Sequence, residues 1–332
     1  MYAVVLVGGF GTRLRPLTST TPKPMLTVGH RPIIAQLVEQ LADAGITDVV
    51  LALGFKPEPF RTAFPDGIWA GVRLHYAVEP SPLDTAGAVR FAARHAGIDD
   101  TFVVMNGDVL TDVDVAALVA FHRDRAAEAT VHLISVDDPS AYGVVDLDDG
   151  GRVRAFVEKP APGTAPSNLA NGGTYVLEAS VLDRIPEGLP TSIERSTFPA
   201  VVADGGLFAL ATDDYWIDTG RPDTFRQANL DTLDGRRRIR CDAIAGDATV
   251  DATAVVEHSL VGPGAVVGPG VHLVESVILA GAHIDAGASI TASIIAGQVG
   301  AGAQVRGAVV AAEGVIEAHE VAVDVRRPEV GM

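Results

Sequence analysis

The chain has 332 residues, 48% of them hydrophobic and 20% charged, which is enough for one large globular part and a smaller one. Its formal net charge of −17 excludes a non-specific nucleic-acid binder, which needs basic surface to displace counterions, so any phosphate site has to be local. The single cysteine, Cys241, excludes an internal disulfide framework and a cysteine-based zinc cluster, and it reads as an ordinary thiol in a reducing cytoplasm.

Met1 leads straight into Ala3-Val4-Val5-Leu6-Val7 with no basic leader, so this run is expected to be a first strand and not a signal segment. No run approaches the ~20 apolar residues that span a bilayer, so the expected partners include no membrane and the expected location is cytoplasmic. Further strands are predicted at Asp48–Leu53, Arg73–Ala77 and Phe102–Met105. A helix over about Pro32–Ala44, with Ile33, Ile34, Leu37, Val38 and Leu41 at helical spacing, stops at Gly45. This alternation implies crossover units and a Rossmann-like, mostly parallel sheet. Runs at 129–136, 143–147, 153–158 and 173–177 depart from simple alternation and predict an antiparallel piece.

After about Arg240 charge thins out and Gly, Ala, Val and Ile dominate. Val261 and Val267; Ile278, Ile284 and Ile290; Val299 and Val305; Val310 and Ile316 each recur six residues apart. A hexapeptide repeat punctuated by Gly and Ala predicts a parallel β-helix, with breaks in register marking uneven corners. The chain is therefore divided into a first domain over 1–238 and a hexapeptide-repeat domain over 239–332, read as a packing or oligomerisation module.

The chemistry-bearing residues begin at Leu6-Val7-Gly8-Gly9-Phe10-Gly11-Thr12-Arg13-Leu14, where glycines after a strand free backbone amides to cradle a phosphate or base. A Walker A loop lacks its Gly-Lys-Ser/Thr here, and a dinucleotide fingerprint lacks its third glycine, where Leu14 stands. The segment continues Arg13-Leu14-Arg15-Pro16-Leu17-Thr18 and then Pro22-Lys23-Pro24. In this order the motifs resemble those of the sugar-1-phosphate nucleotidylyltransferases, specifically the mannose-1-phosphate guanylyltransferase branch. That family carries a nucleotide-diphospho-sugar transferase fold, in many relatives followed by a left-handed β-helix.

The resemblance, which covers about residues 3–227, implies roles residue by residue. Leu6, Gly8, Gly9, Gly11 and Thr12 embrace the nucleotide, while Arg13 and Lys23 contact its triphosphate, where phosphoryl transfer needs positive charge. Glu79, Asp84, Thr85 and Gly87 match the base-recognition loop. Asp84 replaces a usual glycine there and is open to two readings, an acceptor for guanine or a helix N-cap. Asn106 and Gly107 precede Asp108, which with Asp218 of Trp216-Ile217-Asp218-Thr219-Gly220 is expected to hold Mg²⁺. Gly143, Glu158, Lys159, Asn171 and Gly172 match sugar-contacting segments, with Lys159 on the acceptor phosphate. Gly172 departs from the alanine common in mannose-type enzymes, and Asn-Gly-Gly is the form associated with heptose 1-phosphate. Ser192-Ile193-Glu194 and the residues up to Phe198-Pro199 match a guanylyltransferase segment and read as a capped short helix. His122, His258 and His283 read as surface or coil residues.

The resemblance thus implies an enzyme joining GTP and mannose 1-phosphate into GDP-mannose with release of pyrophosphate, acting as a homo-oligomer through its β-helix. Heptose, cyclitol or glucose 1-phosphates are alternative acceptors. A non-catalytic sugar-nucleotide sensor shares the fold, but the set Arg13, Lys23, Asp108, Lys159 and Asp218 argues for catalysis. An acyltransferase would need a second active site, for which the tail is short.

Overall fold

The computed structural model describes residues 1–9, 11–54 and 57–329. Contacts resolve it into two compact units that interleave along the chain, Met1–Gly9 with Ile34–Trp216, and Phe10–Ile33 with Ile217–Met332.

The first unit is built on one sheet. β1 (Tyr2–Leu6), β2 (Asp48–Leu53), β3 (Val72–Val78) and β4 (Phe102–Asn106) run parallel in the order β4-β1-β2-β3. Five consecutive apolar residues, Val49–Leu53, follow Asp48 in β2 without alternation, and all six residues are buried, as strands covered on both faces require. Beyond β4 the sheet turns antiparallel through β5 (Ala129–Ser135), β6 (Gly143–Leu147), β7 (Val153–Glu158) and β8 (Leu169–Leu177), and β9 (Leu207–Thr212) lies parallel to β5. The expected antiparallel piece is present. β8 begins four residues before the predicted strand at 173–177, because Leu169–Asn171 pairs with Leu133–Ser135 ahead of Gly172-Gly173.

The ladder bonds continue past the carboxyl ends of the parallel strands: Val7 N–H donates to Ala52 O, Glu79 N–H to Leu53 O and Gly107 N–H to Leu6 O. One edge of the sheet therefore collects Gly8, Gly54, Glu79 and Asn106-Gly107-Asp108, the edge where open α/β sheets bind ligands.

One histidine is not where it was expected. His122 is fully buried on the helix Val115–Asp124, Nδ1 lying 2.8 Å from Thr130 Oγ1 and Nε2 2.9 Å from Glu178 Oε1. It shares the inner face with Val115, Leu118 and Val119 at helical spacing, and its two partners come from distant segments that offset the cost of burying a polar ring.

In the second unit, fifteen short strands form three parallel five-stranded sheets, the architecture of a β-helix. Every member of the predicted six-residue series, from Val261 to Ile316, is buried inside it. Successive strands start six, five and six residues apart, which is why the periodicity slips in register. One side is shorter still, from Ile294 to Gln298, and it carries Gly297, where a β-carbon would overlap the carbonyls of Ala311 and Gly314. Buried Ser259, Ser276 and Ser293 stack, each hydroxyl accepting an amide of the next coil.

Candidate active site

The glycines at the strand ends of the first unit are dictated by close approach. A β-carbon on Gly107 would stand 2.7 Å from both Leu6 O and Val7 Cγ1, and one on Gly54 would stand 2.9 Å from Gly8 O. Leu6 pairs with Asn106 in the ladder, so the start of the glycine loop and the Asn-Gly-Asp segment are neighbours. Asp108, half-buried, follows two residues after the strand.

Glu79 is buried beside Gly8 and accepts Leu83 N–H at 3.0 Å; burial holds its carboxyl above the ordinary carboxylate range, and that hydrogen bond opposes the shift. Asp84 opens the helix Asp84–His95 in a left-handed conformation (φ 59°) and accepts Thr85 N–H at 2.7 Å. It is thus the first helical residue and not the N-cap, which is Leu83. Thr85 Oγ1 donates to Glu194 at 2.9 Å and accepts Ile193 N–H at 2.8 Å, while Gly87 N–H reaches Thr191 O. Ser192 caps the turn Ile193–Thr197 as expected, accepting Arg195 N–H and donating to the same Glu194 oxygen. Glu194, read from sequence as part of a capped helix, therefore also ties that segment to the start of the helix Asp84–His95.

The sugar-matching residues assemble in the same unit. Gly143 leaves room for Glu158, whose Oε2 would lie 2.9 Å from a β-carbon there. Burial and the charge of Glu194 raise the Glu158 pKa, and Lys159 counters them with its Nζ 3.7 Å from Oε1. Lys159 holds φ at 50°, unusual for a non-glycine residue, with its N–H on Tyr142 O at 2.9 Å. Asn171 donates to the hydroxyl of Tyr175 and accepts Gly173 N–H, both at 2.9 Å. Tyr175 was not foreseen; it is fully buried and also bonded to Asn106, so it bridges the Asn-Gly-Asp and Asn-Gly-Gly segments.

Gly172 O accepts Trp216 Nε1–H at 2.8 Å, and the Trp216 ring meets Tyr142 edge-on. Behind Gly172 stands His132, also unforeseen and fully buried. Its Nε2 lies 2.8 Å from Thr212 Oγ1, its Nδ1 has no partner among the described residues, and burial lowers its pKa to about 4.

In the second unit, Thr12–Leu14 form a single 3-10 turn after Gly11, whose φ of 57° needs glycine and whose carbonyl accepts from Thr18 Oγ1 at 2.7 Å. Lys23, 4% exposed, and Arg13 converge on Asp218, with Nζ 3.4 Å from Oδ1 and Nη2 3.6 Å from Oδ2. Gly220 N–H also donates to Asp218 Oδ1, and a β-carbon on Gly220 would lie 2.5 Å from Arg13 Nη2. The glycine of Trp-x-Asp-x-Gly therefore leaves the space that the Arg13 guanidinium occupies. A buried ammonium and a guanidinium thus meet at one carboxylate, the cation types that bind a polyphosphate. Among the described residues no three His, Cys, Asp or Glu side chains cluster as a ready-made metal cage. Mg²⁺ fits such a site, because it takes one or two protein carboxylates and completes its shell with phosphate and water. Phe10, between Gly9 and Gly11, lies outside the described residues.

Among those residues no helix is long and apolar enough to cross a membrane. A family model described as nucleotidyl transferase matches residues 2–235, and one described as the GMPPB C-terminal domain matches 240–327. The mannose-1-phosphate guanylyltransferase of Mycobacterium tuberculosis is 43% identical over 235 residues, 70% of this chain and 65% of that protein. A probable mannose-1-phosphate guanylyltransferase of Oryza sativa subsp. japonica is 40% identical over 79% of this chain and 75% of its own length. Among solved structures, a putative glucose-1-phosphate thymidylyltransferase from Bacillus anthracis superposes with a TM-score of 0.64 at 27% identity, covering 73% of this chain and 97% of that one. HddC from Yersinia pseudotuberculosis, complexed with GMP-PN, gives a TM-score of 0.58 at 28% identity, over 69% and 97%.

Proposed function

From the premise that this chain belongs to the nucleotidyl transferase family, we propose that it transfers guanylyl from GTP to mannose 1-phosphate, forming GDP-mannose and pyrophosphate. The observation that carries the reading is the convergence of the buried Lys23 and the exposed Arg13 on Asp218, two cations placed for a triphosphate. An oxygen of the sugar phosphate attacks the α-phosphorus, and the bond to the departing pyrophosphate breaks. The acceptor phosphate is already ionised at neutral pH, so positioning and electrostatics outweigh proton transfer.

In this reading Arg13 and Lys23 bind the triphosphate, and Lys159 binds the acceptor phosphate and offsets its repulsion from GTP. Glu158 and Asn171 orient the sugar hydroxyls. Gly8, Gly9, Gly11 and Thr12 line the nucleotide, with Glu79, Asp84 and Thr85 toward the base. Asp108 and Asp218 would hold Mg²⁺, which supplies charge neutralisation on the phosphates when bound. The division at 238/239, the cytoplasmic setting and a homo-oligomer formed through the β-helix belong to the same proposal; Val321 and Val323, 66% and 52% exposed on its last coil, support the oligomer.

Names of relatives favour mannose. The feature that pointed toward heptose, Gly172, directs its missing side chain at His132. Pyrophosphate release across GTP, ATP, UTP, CTP and dTTP against mannose, glucose and heptose 1-phosphates tests the proposal. Turnover with GTP and mannose 1-phosphate, abolished in Asp108→Ala, is expected. Preference for another pair would overturn the specificity, and silence throughout would overturn the activity.

A further inference from the structure

The guanidinium of Arg326 donates through Nη1 to the carbonyls of Arg13 at 3.1 Å and Arg15 at 2.5 Å. Arg326 opens the final short strand of the β-helix, hydrogen-bonded in parallel to Val309–Val310, so its backbone is anchored on the coil beneath. The two carbonyls belong to the turn that displays the Arg13 side chain. That turn's own backbone bonds use the carbonyls of Gly11, Thr12 and Leu14, and those of Arg13 and Arg15 go to Arg326.

We propose that Arg326 is a positioning residue for the nucleotide: the last coil of the β-helix holds the 12–15 turn so that the Arg13 guanidinium stays over Gly220 beside Asp218. This rests on the reading of Arg13 as a triphosphate ligand. It makes the β-helix a working part of nucleotide binding as well as a packing module. Within the same unit, Gly29 N–H donates to buried Asn229 on the helix Pro222–Leu233, and His30 bonds Asp242 O.

The test compares the full-length wild type with Arg326→Gln and Arg326→Lys by hydrogen-exchange mass spectrometry and steady-state kinetics. In Arg326→Gln, amide exchange over residues 11–20 accelerates and KM for GTP rises about tenfold, the effect of losing a charge-assisted bond. KM for the sugar phosphate and the melting temperature stay near wild type, and Arg326→Lys, with a single ammonium, falls between. Exchange and KM equal to wild type would overturn the proposal, and so would both KM values and the melting temperature shifting together, which marks a structural role only. If the wild type turns over no nucleotide and sugar pair, the functional reading fails; exchange then still decides the hold on the turn, and unchanged exchange refutes it.

Discussion

The Nδ1 atom of His132 lies 2.5 Å from where the β-carbon of an alanine at 172 would stand. Neither residue can be understood alone: the imidazole occupies the space that a larger neighbour would need, and it is held there by Thr212.

It follows that Gly172→Ala destabilises the protein by about 1–3 kcal/mol through overpacking, and that His132→Ala in the same chain recovers part of the loss. Urea denaturation of the two single variants and the double variant gives the coupling. Because the side chain at 172 points at His132, the preference among sugar 1-phosphates stays with the wild-type sugar in the double variant. A switch of preferred sugar would show instead that position 172 reads the substrate.

His132 also makes stability depend on pH. Its pKa is about 4 in the folded protein against 6.5 in the unfolded chain, so between these values only the unfolded chain binds the proton. The contribution is complete above pH 6.5 and is lost as pH falls toward 4, by about 3 kcal/mol. Denaturation midpoints across this window should drop in the wild type and drop less in His132→Gln. Equal slopes would show that the ring titrates normally.

Lys159 is more than half exposed and its ion pair with Glu158 is long, so removing it should leave stability within about 0.5 kcal/mol. On the proposed role, Lys159→Ala lowers kcat/KM for the sugar phosphate by about a hundredfold, the loss of a cation facing a dianion, with KM for GTP little changed. A loss confined to GTP binding would reassign the residue.

Gly220→Ala places a methyl group against Arg13 Nη2 while leaving every charged group in the chain. The guanidinium must move from Asp218, and kcat/KM for GTP is expected to fall by about ten- to a hundredfold with an unchanged melting temperature. Wild-type kinetics would mean that Arg13 is free to reorient without consequence.

Much of this was legible in the chain itself. Apolar runs such as Val49–Leu53 define their own strands, because a strand buried on both faces needs no distant partner to reveal it. The hexapeptide series fixes the β-helix interior in the same way, each coil repeating the one before it. The order of the glycine, Pro-Lys-Pro and Trp-x-Asp-x-Gly motifs points to nucleotidyl transfer, and the positive φ of Gly11 is a local backbone demand. What depends on residues far apart in sequence was decided only by tertiary structure. The burial of His122 rests on Thr130 and Glu178, the requirement for Gly172 on His132, the link of Thr85 to Glu194 on a separate segment, and the hold on Arg13 on Arg326 at the far end of the chain. Periodicity and motif spacing report which face a residue occupies and which chemistry it carries, whereas the partner of a buried polar group is set by packing between elements, which no single stretch of sequence encodes.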